Sequence, residues 1–60
     1  MDPASRFHLV YVNLPIEERK QVVLVLGDEP ISWQVARSEI INNTKRAKVI
    51  LEKLIALDIL

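Results

Sequence analysis

The sequence predicts a mainly α-helical fold in which one N-terminal β-strand precedes three helices, all within a single domain of residues 1–60. Three observations support this prediction. Residues 45–57 place apolar side chains at the i, i+3, i+4, i+7 spacing of an amphipathic helix. Ser32 and Thr44 are preferred N-cap residues in front of two helical segments. Residues 6–14 are rich in aromatic and β-branched side chains, which is typical of a strand.

Length and composition limit the classes of protein that this chain can be. So short a chain buries only about 60% of the surface that it exposes when unfolded. Its 60 residues include no cysteine, one histidine, and eight basic against eight acidic side chains, which gives a formal net charge of zero. We therefore expect no disulfide, no metal site and no cofactor. We also expect a homodimer, because small domains that have neither disulfides nor a structural metal commonly gain stability by oligomerising.

The start of the chain and its apolar runs indicate a cytoplasmic protein without a membrane partner. Residues 1–5 lack the basic start and the apolar core of a signal peptide. The longest uninterrupted apolar run, Val22–Leu26, is far shorter than the roughly 20 residues needed to span a bilayer.

The first part of the chain is predicted to comprise a disordered start (residues 1–5) and a strand (residues 6–14). Both faces of this strand would be largely apolar: Phe7, Leu9 and Tyr11 on one side, Val10, Val12 and Leu14 on the other. Two apolar faces indicate a strand that is covered on both sides or paired across a dimer.

Residues 15–27 allow two interpretations. Pro15 suits the first turn of a helix, and Glu17 and Glu18 would complement the positive end of the helix dipole. The run Val22–Leu26, however, has the β-branched composition of a buried strand, and a short apolar run cannot be assigned by periodicity alone. Local composition therefore supports a helix and a hairpin strand about equally. The Gly-Asp-Glu-Pro segment at residues 27–30 then interrupts either element.

Two further helices are predicted, the second over residues 32–41 and the third over residues 44–57. Asn42 and Asn43 separate them, and we expect one of the two to adopt the left-handed backbone conformation that asparagine tolerates.

The sequence from Pro15 to Ser32 resembles the first helix and following loop of winged-helix regulators, which are helix-turn-helix DNA-binding proteins. The matching positions are Val22, Val23, Leu26, Pro30, Ile31 and Ser32. Val35-Ala36-Arg37 is similar to the start of the second helix of that family, and Ala47, Leu51 and Leu54 are similar to the end of its recognition helix. The resemblance favours a helix over residues 15–27. Ile40 stands where the family has a turn glycine, and no wing follows Leu60, so we expect a wingless variant.

The resemblance implies a small, sequence-dependent double-stranded DNA-binding protein, a transcriptional regulator that acts as a homodimer through the N-terminal strand, the last helix or both. Recognition helices of this kind contact bases near their N-terminus, while flanking basic and polar residues contact phosphates. The residues expected to bind DNA are Asn43, Thr44, Lys45, Arg46, Lys48, Arg37 and Gln34.

The alternative is a protein-interaction or dimerisation module with a winged-helix-like fold and no DNA binding. Zero net charge and the apolar side chains within residues 49–56 favour it, since fold alone does not determine function. The same lysines are also consistent with an ordinary solvated helix face. We expect no enzymatic activity, because His8 has no nearby carboxylate or serine in the sequence and one glycine cannot build a phosphate-binding loop.

Overall fold

The computed structural model describes residues 2–60, which form three helices and one β-hairpin. In chain order these are α1 (Pro3–Val12), a 3-10 turn (Glu18–Lys20), β1 (Val22–Leu26), β2 (Glu29–Ser32), α2 (Trp33–Ile41) and α3 (Lys45–Ala56). The two strands pair antiparallel in a two-stranded sheet. The prediction of a mainly helical domain with three helices is confirmed, but the β-structure lies between α1 and α2 and not at the N-terminus.

A disordered start (1–5) and a strand (6–14) were predicted for the first part of the chain, but the helix α1 covers Pro3–Val12. Both predictions are therefore wrong over the residues of this helix. Met1 lies outside the described residues. The Oδ1 atom of Asp2 accepts a hydrogen bond from the Ser5 backbone N–H at 2.9 Å, and Pro3 occupies the first helical position. Both features favour a helix start. Phe7 and Tyr11 are buried, whereas Leu9 between them is 50% exposed, and Ala4 packs against the core. The apolar positions therefore follow the 3.6-residue period of a helix and not the period of 2 of a strand.

A hairpin replaces the predicted helix over residues 15–27, which is the second correction. Leu26 pairs with Glu29 across the two-residue loop Gly27-Asp28, and Gly27 has a φ of +58°. A two-residue loop with glycine first is the arrangement of a type II′ turn, which matches the twist of the paired strands. β-Branched side chains lose rotamer freedom against the preceding turn of a helix but pack well on a pleated sheet. The locally supported hairpin is therefore confirmed, and the helix favoured by the resemblance is wrong.

Helices α2 and α3 agree with the predicted ranges 32–41 and 44–57 to within a residue at each end. The Ser32 hydroxyl accepts from the Val35 N–H at 3.1 Å, and the Thr44 hydroxyl accepts from the Ala47 N–H at 3.2 Å, so both predicted N-caps are present. Asn43 has a φ of 52°, which confirms the left-handed residue predicted in the turn.

Nine buried apolar side chains from all the regular elements except the 3-10 turn form one core. They are Phe7, Tyr11, Leu24, Ile31, Ala36, Ile40, Ala47, Ile50 and Leu54. Trp33 is partly buried against this core, with its ring centroid 5.6 Å from that of Phe7. Within residues 2–60, no helix is both long and apolar enough to cross a membrane.

Replacing Gly27 with alanine should lower the free energy of unfolding by about 1–2 kcal/mol, because an L-residue is strained at positive φ. No atom lies within 4 Å of a Cβ added at this position, so the loss would come from the backbone alone. Urea unfolding measures the change. A synthetic protein with D-alanine at this position is the matched control and should be at least as stable as the wild type; equal loss in both proteins would contradict the backbone explanation.

Stability should also depend on the ionisation of Asp2. Hydrogen bonds from the Ser5 side chain and backbone hold the pKa of Asp2 below its ordinary value of 3.8. A carboxyl group whose pKa is lower in the folded state stabilises that state above the unfolded pKa, and the effect is lost as the pH falls through the folded pKa. Asn is an equally good N-cap but does not titrate.

The Asp2→Asn variant should therefore be less stable than the wild type at neutral pH, and the difference should vanish well below pH 3.8. Urea unfolding of both proteins at neutral and acidic pH checks this prediction. A stability difference that stays constant through the acid range would show that the charge on Asp2 does not contribute.

Candidate nucleic-acid interface

All seven predicted DNA-binding residues lie on α2, α3 and the turn between them. Gln34 and Arg37 belong to α2, Asn43 and Thr44 form part of the turn, and the remaining three begin α3. The burial of Ala47, Ile50 and Leu54 fixes the rotation of α3 about its axis. Because a helix repeats every 3.6 residues, Lys45 and Lys48 fall on the opposite, exposed side.

Four of the seven side chains are exposed and have no internal partner. Gln34, Asn43, Lys45 and Lys48 make no side-chain hydrogen bond or ion pair with any residue in the range 2–60. Their hydrogen-bonding groups therefore face solvent and are available to an external ligand.

Thr44 is engaged within the domain. Its hydroxyl caps α3 by accepting from the Ala47 N–H, and the same hydroxyl donates to the Glu39 carboxylate. The side chain is partly buried, and one O–H group cannot also donate to a base or a phosphate. Thr44 therefore joins the end of α2 to the start of α3, and contact with DNA would break that link.

Arg46 is paired with an acidic residue of the hairpin. Its guanidinium donates to Oε2 of Glu29 at 2.9 Å, and this hydrogen bond raises the pKa of Arg46 above its ordinary value. The side chains are 41% and 58% exposed, so the pair is a surface ion pair of the kind that contributes little to stability. Glu29 accepts from one of the five N–H groups of the guanidinium, and a phosphate that approached the other four would meet the negative charge of Glu29.

Arg37 packs against α1, together with an arginine that the sequence analysis did not single out. The guanidinium carbons of Arg37 and Arg19 lie 5.2 and 4.6 Å from the ring centroid of Tyr11, within the range of cation–π attraction. Arg19 also donates to the Val12 carbonyl at 3.4 Å, whereas its buried Nε atom has no partner among residues 2–60. No local sequence signal relates these residues, because three separate elements bring them together.

The charges around the start of α3 run against the helix dipole. Lys45, Arg46 and Lys48 lie in the first turn or directly after it, and that turn contains no acidic residue. Positive side chains at this end of a helix are unfavourable, because the unpaired N–H groups there already carry partial positive charge. Glu29 and Glu39 supply nearby negative charge, and both act on Arg46. Lys45 and Lys48 form no ion pair within 4.0 Å among the described residues, and the acidic residue nearest to them on α3 is Glu52, one turn after Lys48.

No profile of a known protein family, no curated protein and no solved structure matches this chain. Within residues 2–60 the structure contains no pocket and no group of three or more side chains placed to hold a metal ion.

Substituting Thr44 with alanine should lower the free energy of unfolding by about 1 kcal/mol or more, because α3 loses its N-cap and Glu39 loses a hydrogen-bond donor. The Thr44→Ser variant keeps the hydroxyl and should lose much less stability. Thermal or urea unfolding of both variants measures the two losses of stability. If alanine and serine have the same effect, the methyl group and not the hydroxyl accounts for the role of Thr44.

Proposed function

We propose that the protein binds double-stranded DNA in a sequence-dependent manner through the turn before α3 and the first turns of that helix, and that it acts as a dimeric transcriptional regulator. The observation that carries this proposal is the exposed, unpartnered set Asn43, Lys45 and Lys48 at the start of α3. Two helices joined by a three-residue turn with a left-handed residue support a helix-turn-helix formed by α2 and α3.

The placement of the lysines supports an anionic ligand. A helix start with two lysines that form no ion pair is locally unfavourable, and local sequence preferences are violated most often at functional sites. Phosphate groups would supply the missing negative charge, and the exposed N–H groups of the helix terminus would add to the attraction. Zero net charge means that this attraction is local and does not involve the whole surface.

Each residue then has a defined role in the proposed complex. Asn43 can bind adenine through two hydrogen bonds, and Lys45 and Lys48 can reach guanine or phosphate. Gln34 near the start of α2 would contact the backbone. Arg37, Thr44 and Arg46, which have partners inside the domain, would hold the two helices in position or exchange those partners for phosphate on binding.

Fluorescence anisotropy with duplex DNA at two salt concentrations tests this proposal. The Lys45→Ala/Lys48→Ala variant should bind more weakly than the wild type. Its log–log slope of affinity against salt should be smaller by about 1.8 per subunit, because each lost phosphate contact removes about 0.9.

The matched control is Arg6→Ala/Lys53→Ala, which removes the same charge from exposed positions on α1 and on the last turn of α3. It should retain the wild-type salt slope. The proposal fails if the wild type does not bind duplex DNA at low salt, or if the two double variants behave alike.

A protein-interaction or dimerisation module without DNA binding is the second candidate. Ten large apolar side chains among residues 2–60 are at least 41% exposed, which is a large excess for a domain of this size. Three of the seven predicted DNA-binding residues also have partners within the domain. Absence of DNA binding at low salt, together with concentration-dependent self-association, would favour this candidate.

A further inference from the structure

The hairpin has two outer edges that differ in their capacity for hydrogen bonding. In an antiparallel pair, hydrogen-bonded and non-hydrogen-bonded residue pairs alternate. Leu26 and Glu29 flank the two-residue loop and form the bonded pair next to it. Val25 and Pro30 form the following pair, so the backbone groups of Val25 and Pro30 point away from the partner strand.

The outer edge of β2 is closed to further pairing. Pro30 has no N–H group, and proline at an outward position is one of the devices by which proteins protect sheet edges. Two residues later Ser32 becomes the N-cap of α2, so the chain leaves the sheet at once. An added strand would find almost no donors along this edge.

The outer edge of β1 is open. Val23 is the extra residue of an irregularity between Val22 and Leu24, and such a residue is left unpaired by the neighbouring strand. Outside the two-stranded sheet itself, the backbone groups of Val23 and Val25 make no hydrogen bond among residues 2–60. Val22 and Val25 are 56% and 50% exposed, and β1 contains neither proline nor a charged residue. Apart from the irregularity, β1 has none of the features that prevent a further strand from pairing with a sheet edge.

The sequence around β1 is complementary to itself in one orientation. An antiparallel pair of β1 strands centred on Leu24 would match only apolar residues with one another, because all five residues from Val22 to Leu26 are apolar. Lys20 precedes Leu24 by four residues and Asp28 follows it by four.

Lys20 ends the 3-10 turn before β1, and Asp28 lies in the loop after it, so antiparallel pairing places opposite charges of the two copies at each end of the strand pair. Parallel pairing would instead bring like charges together, which is unfavourable. Charge therefore favours the antiparallel orientation.

From these observations we propose that β1 is the self-association surface of the protein, and that two copies join their β1 edges into a four-stranded antiparallel sheet. This β1 dimer would be the dimer of the proposed function. Its structural basis is the hairpin alone, and its tests do not use DNA. A two-stranded hairpin is marginally stable by itself, and additional strands with a covered apolar face stabilise it. Leu24 of both copies would lie on the same, helix-covered face of the enlarged sheet.

Sedimentation equilibrium of the free protein over a range of concentrations provides the first test. The wild type should form a dimer, and Val25→Lys should raise the dissociation constant by about tenfold or more, because a charge on an open edge opposes strand addition. Val35→Lys is the matched control: Val35 is a comparably exposed valine on α2 (41%), and its substitution should leave the constant unchanged.

A charge-exchange experiment tests the antiparallel orientation and does not depend on substitutions within the sheet. Lys20→Asp and Asp28→Lys should each weaken the dimer several-fold, since each places like charges opposite one another. The double variant Lys20→Asp/Asp28→Lys should restore the wild-type dissociation constant. Circular dichroism should show that all of these variants keep their helical content.

Three results would overturn the inference: a wild type that stays monomeric at every concentration, a dimer insensitive to Val25→Lys, or a double charge variant no tighter than the single ones. If Val25→Lys fails to fold, the charge exchange alone decides. A dimer that behaves as expected but does not bind DNA would refute the proposed function and leave the β1 interface standing.

Discussion

The structure depends on one small core that every helix and both strands share. Its four fully buried large side chains are Phe7 from α1, Ile31 from β2, and Ile50 and Leu54 from α3. The buried side chains of residues 2–60 belong to this one core, and the sequence contains no cysteine, so no disulfide would hold the fold together if one element detached. The position of α3, and with it the direction of Lys45 and Lys48, therefore follows from the packing of residues far away in the sequence.

The same smallness explains why so much apolar surface stays exposed. A domain of this size has too little interior to cover all its large apolar side chains, and half of its residues are of the hydrophobic type. Some of the excess lies on β1, whose outer edge makes no backbone hydrogen bond to another element among residues 2–60. Exposed side chains and free backbone groups thus coincide at one edge, while Pro30 closes the other.

Features encoded within a few residues could be predicted from the sequence. The N-caps Ser32 and Thr44 and the left-handed Asn43 are local, because each depends on hydrogen bonds or backbone sterics of its immediate neighbours. Local signals for the other elements were present as well. Asp2-Pro3 favours a helix start, and Gly27-Asp28 between two apolar runs favours a hairpin. The β-branched composition of residues 6–14 favoured a strand over the helix, and the resemblance over residues 15–27 favoured a helix over the hairpin.

The sequence by itself determined that α2 and α3 exist, where they begin, and which residue reverses the chain between them, because these are properties of short segments. Only the tertiary structure decided which of the seven predicted side chains are free. Glu29 lies 17 residues from Arg46, and Tyr11 lies on a different helix from Arg37. Contacts of that range arise from packing, which no pattern within a single segment records. Asn43, Lys45 and Lys48, together with Gln34, remain available because the fold provides them with no partner among the described residues.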